Sequence, residues 1–248
     1  MCTDCDASRI VYHRLGSHFP DVVVVVEDPV PRTRLLWRRL RRLGAATVLG
    51  QALFLALVVP VLRRTGRARI EEIKREFSLD DGPFHAVHRV PSVNDQSARA
   101  VVERLQPAVV VVCGTRIISA ETLRTFTAPV VNYHAGITPA YRGVHGGYWA
   151  LAEGRPDLAG STVHLVDAGI DTGGILAQRT IAVTPRDSFA TYPYLHVAAA
   201  LPAIVSVAGR ALAGEPLAVQ APVADLPSKL RSHPTAWTWA RHALRGVR

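Results

Sequence analysis

Cysteine is scarce: the 248 residues hold three, and two of them, Cys2 and Cys5, fall within the first five positions. So few thiols build no disulfide framework. The Cys2–Cys5 pair has no second pair at zinc-finger spacing and no nearby histidine, so packing is expected of it and no metal site is expected anywhere. The chain does not open on a charged segment followed by an apolar one, which excludes a signal peptide and points to a reducing cytoplasm. Acidic residues are in deficit, 20 Asp+Glu against 29 Lys+Arg, and the net charge of +9 favours anionic partners without choosing among phosphates, anionic lipid and nucleic acid. Long polar tracts and internal repeats are absent. With 48% hydrophobic residues the chain lies far from the disordered class. Its length suits one medium-sized domain.

The strand signals come next. Residues 21–27 (DVVVVVE) are apolar without alternation, as in a strand buried on both faces of a parallel sheet. Residues 108–114 repeat the pattern after an amphipathic segment at 97–105, giving strand, helix, strand. Further strands are expected at 129–134, 161–167 and 174–183, and helices at 8–19 and 194–212. The expected fold is α/β, a Rossmann-like, mostly parallel sheet flanked by helices. It occupies residues 1–216, with an apolar helical insert at 32–75 and a basic C-terminal extension at 217–248.

Residues 43–62 carry no charge and are flanked by Arg38, Arg39, Arg41 and Arg42 on one side and by Arg63, Arg64, Arg67 and Arg69 on the other. The length permits a membrane span. Gly44, Gly50, Gln51 and Pro60 interrupt the run, and the symmetric positive flanks specify no orientation. Two readings stand: an interfacial or re-entrant helix pair touching lipid, placing the protein peripherally at the inner membrane face, or an apolar helix packed on the domain or at a homodimer contact. The arginines gather around this insert instead of interleaving with aromatics, so no nucleic-acid partner is expected. In the tail, basic residues with Trp237 and Trp239 read either as a basic aromatic surface at a membrane or as a helix packed through its tryptophans.

The chemistry concentrates in residues 131–143 (VNYHAGITPAYRG), where a buried strand delivers Asn132 and His134 at i and i+2. That spacing puts both side chains on one face. An amide and an imidazole aimed at one point can stabilise an oxyanion and move a proton, as attack on a carbonyl carbon requires. The glycine-rich turn at 167–174 (DAGIDTGG) carries Asp171, which at the same site would hold His134 protonated. His145 is read as structural or as reaching the acceptor, His164 as a satisfied mid-strand residue, and Cys113 as packing.

Asn132, His134, Pro139, Tyr141, Arg142, Gly143, Asp171 and Gly173 stand in the order and spacing of the folate-dependent formyltransferases, which the chain resembles from about 108 to 212 and more loosely back to residue 8. The resemblance implies that Asn132 binds the formyl oxygen, His134 acts as a charged acid, and Asp171 keeps it protonated and helps shuttle the amine proton. It implies 10-formyltetrahydrofolate as donor, with Gly114, Arg116, Ile117, Ile118, Asp167 and Gly169 around the pterin, and Tyr141, Arg142 and His145 on the acceptor side. Gly136-Ile137-Thr138-Pro139 stands where the family often has Ser-Leu-Leu-Pro, which reshapes the acceptor side. Members acting on tRNA carry a further barrel-like domain, for which the stretch after Gly214 is too short, and purine-pathway members lack an apolar insert. The chain therefore resembles most the sugar formyltransferases, with a small-molecule acceptor, a nucleotide-linked amino sugar for surface polysaccharide. A hydrolase passing the formyl group to water, and a membrane-associated member without catalysis, are the alternatives. Family members begin with a central strand ahead of the first helix, and Cys2 to Asp6 read as the end of that strand and its loop.

Overall fold

The computed structural model describes all residues except Asp225 and Leu226, which fall in the expected C-terminal extension, and the side chains of Arg32 and Arg34. In chain order the elements are α1 (Asp6–Gly16), β1 (Val24–Glu27), α2 (Arg32–Leu43), α3 (Ala45–Leu53), a π turn (Phe54–Val58), α4 (Val59–Thr65), α5 (Arg67–Glu76), β2 (Val87–Val90), α6 (Gln96–Leu105), β3 (Val110–Cys113) and α7 (Ala120–Thr125). They continue through β4 (Val130–His134), β5 (Arg142–Gly143), α8 (Gly146–Ala152), a 3₁₀ turn (Pro156–Leu158), β6 (Gly160–Leu165), β7 (Ile175–Thr180), α9 (Tyr192–Leu212), β8 (Leu230–Arg231) and α10 (Ala236–Ala243).

β1 is buried along its whole length, as its unbroken valines require of a strand covered on both faces. It pairs in parallel with β2, and β3 pairs in parallel with β4. Between the two pairs the chain places Cys2, which bridges Val26 on one side and Cys113 on the other, both in parallel. Cys2 N donates to Val25 O, Glu27 N to Cys2 O and Cys113 N to Met1 O. Below this single-residue joint a cleft of about 590 Å³, lined by Val22, Val24, Val109 and Val111 among others, separates the two parts of the sheet.

Beyond β4 the mostly parallel sheet gains antiparallel strands: β6 runs antiparallel to β4, and β7 antiparallel to β6. The connection from β6 to β7 is a short glycine-rich turn, and only antiparallel neighbours can be joined without a crossover helix. α9 covers this part of the sheet and packs on α1, its buried Leu195, Val197, Leu201, Ile204 and Val207 joining the main core.

Within the insert the uncharged run lies in one continuous helix, Ala45–Thr65, rather than a re-entrant pair. Gly44, at φ +80°, turns the chain into it from α2. Pro60, which has no N–H, stands two residues past the π turn, whose end is marked by the Val59 amide bonding Phe54 O. One stripe of this helix is packed: Phe54 is fully buried edge-on to Phe189, with centroids 4.8 Å apart, and Gln51 Nε2 donates to His233 O at 2.8 Å. The C-terminal residues therefore lie against the body: β8 pairs with β5, and α10 rests on α3, with the Trp237 ring filling the space beside Gly50.

Three histidines are enclosed within the protein, His145 and His233 under the C-terminal segment and His196 on α9 beside Ser161. Burial pulls His145 and His196 from the ordinary 6.5 to about 3, and His233 to about 4. Below pH 6.5 the unfolded chain takes up protons that the folded one refuses, so stability present above that pH is lost as pH falls toward 4. Each histidine contributes a slope of up to about 1.4 kcal/mol per pH unit. By pH 5 the loss is about 2 kcal/mol per histidine, a large share of a typical domain's stability. Urea titrations from pH 7 to 4.5 should show the midpoint falling steeply at constant slope.

Candidate active site

β4 ends the apolar run of the sheet in polar side chains, and its alternation sets Asn132 and His134 on one face. Asp171 reaches both from the glycine-rich turn: Asn132 Nδ2 lies 3.4 Å from Asp171 Oδ1, and His134 Nδ1 lies 3.5 Å from Asp171 Oδ2. Asp171 adopts φ +52°, the left-handed region that a non-glycine residue enters at a cost, and a strained backbone of this kind is concentrated at functional sites. The turn is fitted closely around it. A Cβ on Gly173 would stand 1.8 Å from Leu165 O, and one on Gly136 would stand 2.6 Å from His134 Nε2.

Two contacts fix the carboxylate and the imidazole. The Gly143 amide donates to Asp171 Oδ2 at 2.8 Å, and His134 Nε2 donates to Tyr141 O at 2.7 Å, which sets the ring orientation because a carbonyl only accepts. Burial pushes the Asp171 carboxyl up, but His164, His134 and the Gly143 amide together bring it below the usual carboxylate range. Burial also draws His134 below the usual imidazole range, against the opposing pull of Asp171 and the Tyr141 carbonyl. At neutral pH the carboxylate is therefore ionised and the buried imidazole rests neutral, whereas the sequence reading has it charged throughout.

His164, read from sequence as a satisfied strand residue, belongs to this cluster. The antiparallel register sets it opposite Asn132, with Nε2 3.0 Å from Asn132 Nδ2 and 3.7 Å from Asp171 Oδ1. Its signal was the pairing of the two strands, which neither strand shows alone.

The remaining expected residues divide. Ile117 is 54% exposed, and Gly114, at φ +66°, is exposed with its carbonyl accepting from Thr3 Oγ1 at 3.0 Å. Both are open at the place where the sequence reading puts the pterin of a folate. Ile118 is buried instead among Val93, Val102 and Val112. Arg116 is spent inside the protein, its amide donating to Glu27 Oε1 at 2.6 Å and its guanidinium to the carbonyls of Pro91 and Asp28. Asp167 shapes the turn by accepting from Gly169 N at 3.0 Å and Thr172 Oγ1 at 2.7 Å. On the acceptor side Tyr141 is buried beneath Arg231 and brings only its carbonyl to the site. His145 is bonded to His233 at 2.9 Å and packs, tilted by 44°, on Phe189 with ring centroids 4.4 Å apart, so its ring serves the packing of the tail. Arg142 donates to Ile170 O at 3.1 Å, and its buried Nε has no partner among the described residues.

The fold and this cluster define a class: α/β proteins in which a sheet strand and a glycine-rich turn bring an amide, an imidazole and a carboxylate to one point. The formyl transferase family model matches residues 64–199, and the chain belongs to the formyl transferase family. It is 31% identical over 179 residues to the methionyl-tRNA formyltransferase of Pelotomaculum thermopropionicum, covering 70% of this chain and 55% of that one. Over 94 residues it is 42% identical to the phosphoribosylglycinamide formyltransferase of Mycobacterium tuberculosis, covering 38% of this chain and 43% of that one. The chain thus spans about half the length of the curated relatives it matches. The phosphoribosylglycinamide formyltransferase structure from Streptococcus pneumoniae TIGR4 shares the fold, with a TM-score of 0.50 and 17% identity over 83% of this chain and 94% of that one.

Proposed function

We propose that the protein transfers a formyl group from 10-formyltetrahydrofolate to a primary amine, and that the amine belongs to a nucleotide-linked amino sugar. The observation that carries the reaction is the convergence of Asn132, His134 and Asp171 at the end of β4 in a chain of this family. The folate supplies, when bound, a formyl group on a nitrogen that can leave. As the amine's lone pair attacks the formyl carbon, Asn132 Nδ2 donates to the oxygen that gains negative charge. His134, neutral at rest, takes the proton the amine sheds, and the ionised Asp171 at 3.5 Å steadies the imidazolium. His134 then releases that proton to the departing nitrogen, and the C–N bond to the folate breaks as the new amide forms.

The finer reading, an acceptor bearing phosphate, is favoured by the net charge of +9 and by the unpartnered Nε of Arg142 beside the Asp171 turn. The arginine-flanked apolar helix, packed on the same C-terminal segment that pairs with Arg142–Gly143, suits an enzyme serving surface glycan. The test is incubation with 10-formyltetrahydrofolate and a panel of amino-sugar nucleotides, glycinamide ribonucleotide and initiator methionyl-tRNA, read by mass spectrometry. A gain of about 28 Da, one formyl replacing one hydrogen, on an amino-sugar nucleotide is the expected result. A gain on another acceptor overturns the sugar reading, and folate turnover with no acceptor formylated identifies a hydrolase.

A further inference from the structure

The helix Ala45–Thr65 is apolar all round, yet only one stripe of it is covered. Val48, Gln51, Phe54 and Leu62 face the body. On the other side Leu49, Leu53, Leu57 and Val61 recur every four residues and are 60, 39, 62 and 59% exposed. Such a continuous apolar surface on a soluble body marks a place where something docks. Its surroundings say what. Between residues 32 and 70 the sequence holds no Asp or Glu. Arg38, Arg41 and Arg42 before the helix and Arg63, Arg64 and Arg67 at its end are exposed, and none pairs with a carboxylate among the described residues. An apolar strip ringed by free guanidinium groups complements an anionic interface with an apolar interior. A second copy of this chain would bring the same arginines against them.

The orientation follows from the packed stripe. At 21 residues the helix is about 31 Å long, enough to cross a bilayer. To cross, it would have to carry Phe54 and Gln51 away from Phe189 and His233, uncovering an aromatic cluster and leaving a buried amide unbonded. We propose that this helix lies in the plane of an anionic lipid surface, its Leu49, Leu53, Leu57 and Val61 face immersed among the acyl chains and its arginines on the headgroups. The inference does not depend on the reaction catalysed.

The experiment is co-sedimentation of the full chain with vesicles of phosphatidylcholine alone or mixed with phosphatidylglycerol. Binding to the mixed vesicles that is much weaker on phosphatidylcholine and is released by high salt is the expected result. Each surface arginine adds about fivefold to partitioning, so Arg41→Ala/Arg42→Ala should bind about 25-fold more weakly. Leu53→Glu/Leu57→Glu, which leaves the packed stripe untouched, should abolish binding while the melting temperature is unchanged. No binding to either vesicle, or equal binding to both, overturns the proposal. So does a protein that only detergent releases, which would be a span, or a dimer in solution that the glutamate pair dissociates without any vesicle binding.

Discussion

Replacing His134 with glutamine leaves a folded protein whose kcat/KM for formyl transfer is about 10³-fold lower. His134 is buried and bonded through Nε2 to the Tyr141 carbonyl at 2.7 Å, so truncation to alanine would open a cavity and strip a buried acceptor of its partner. Glutamine can still offer that carbonyl an N–H, but it cannot carry a proton. The loss expected for a positioned proton carrier is about 10²–10⁴-fold. Far-ultraviolet circular dichroism and thermal melting should match the parent while turnover collapses. A glutamine variant that keeps more than a tenth of the parental kcat/KM would remove His134 from the reaction.

Asp171→Asn should be the second most damaging change, about 10²-fold or more in kcat, and it carries a pH signature. Asparagine tolerates the left-handed backbone at this position and keeps the side-chain shape, so the turn should hold. What disappears is the charge beside His134. The carboxylate favours the protonated imidazole, so without it the His134 pKa falls further. A base that must be neutral to accept a proton then stays neutral to lower pH, and the acid limb of the kcat/KM profile moves to more acidic pH even as its plateau drops. A limb that stays put, or one that moves to higher pH, would mean that Asp171 acts through the turn alone.

The buried strands were legible because residues 21–27 and 108–114 spell them in unbroken β-branched runs, and Asn132 with His134 was legible because a strand's period of two is fixed by its backbone. The direction of β6 and β7 was less so: apolar runs announce burial, while direction is decided by what joins them. β2 carries a histidine and an arginine in four residues and is exposed at both, so it gives no apolar run to read. Among the site residues, His164 was hidden because its role depends on which residue it faces across the β4–β6 ladder. Arg116 and Tyr141 show the converse: their places in a motif are plain in sequence, while the groups that occupy their side chains, the Pro91 and Asp28 carbonyls and the Arg231 guanidinium, come from distant segments.

The joint in the sheet has a chemical consequence. The protein has three free thiols, and two of them sit at the joint: Cys2 is the single residue that ties β1 to β3, and Cys113 is its partner on the β3 side. Burial pushes both thiols up and away from the reactive thiolate, while Cys5 stands in solvent a turn away at the head of α1. An alkylating reagent therefore meets one accessible site on the closed molecule, and the other two become reachable only when the backbone bonds of the Cys2 joint open. The number of labelled cysteines is a built-in counter of that opening, one for closed and three for open.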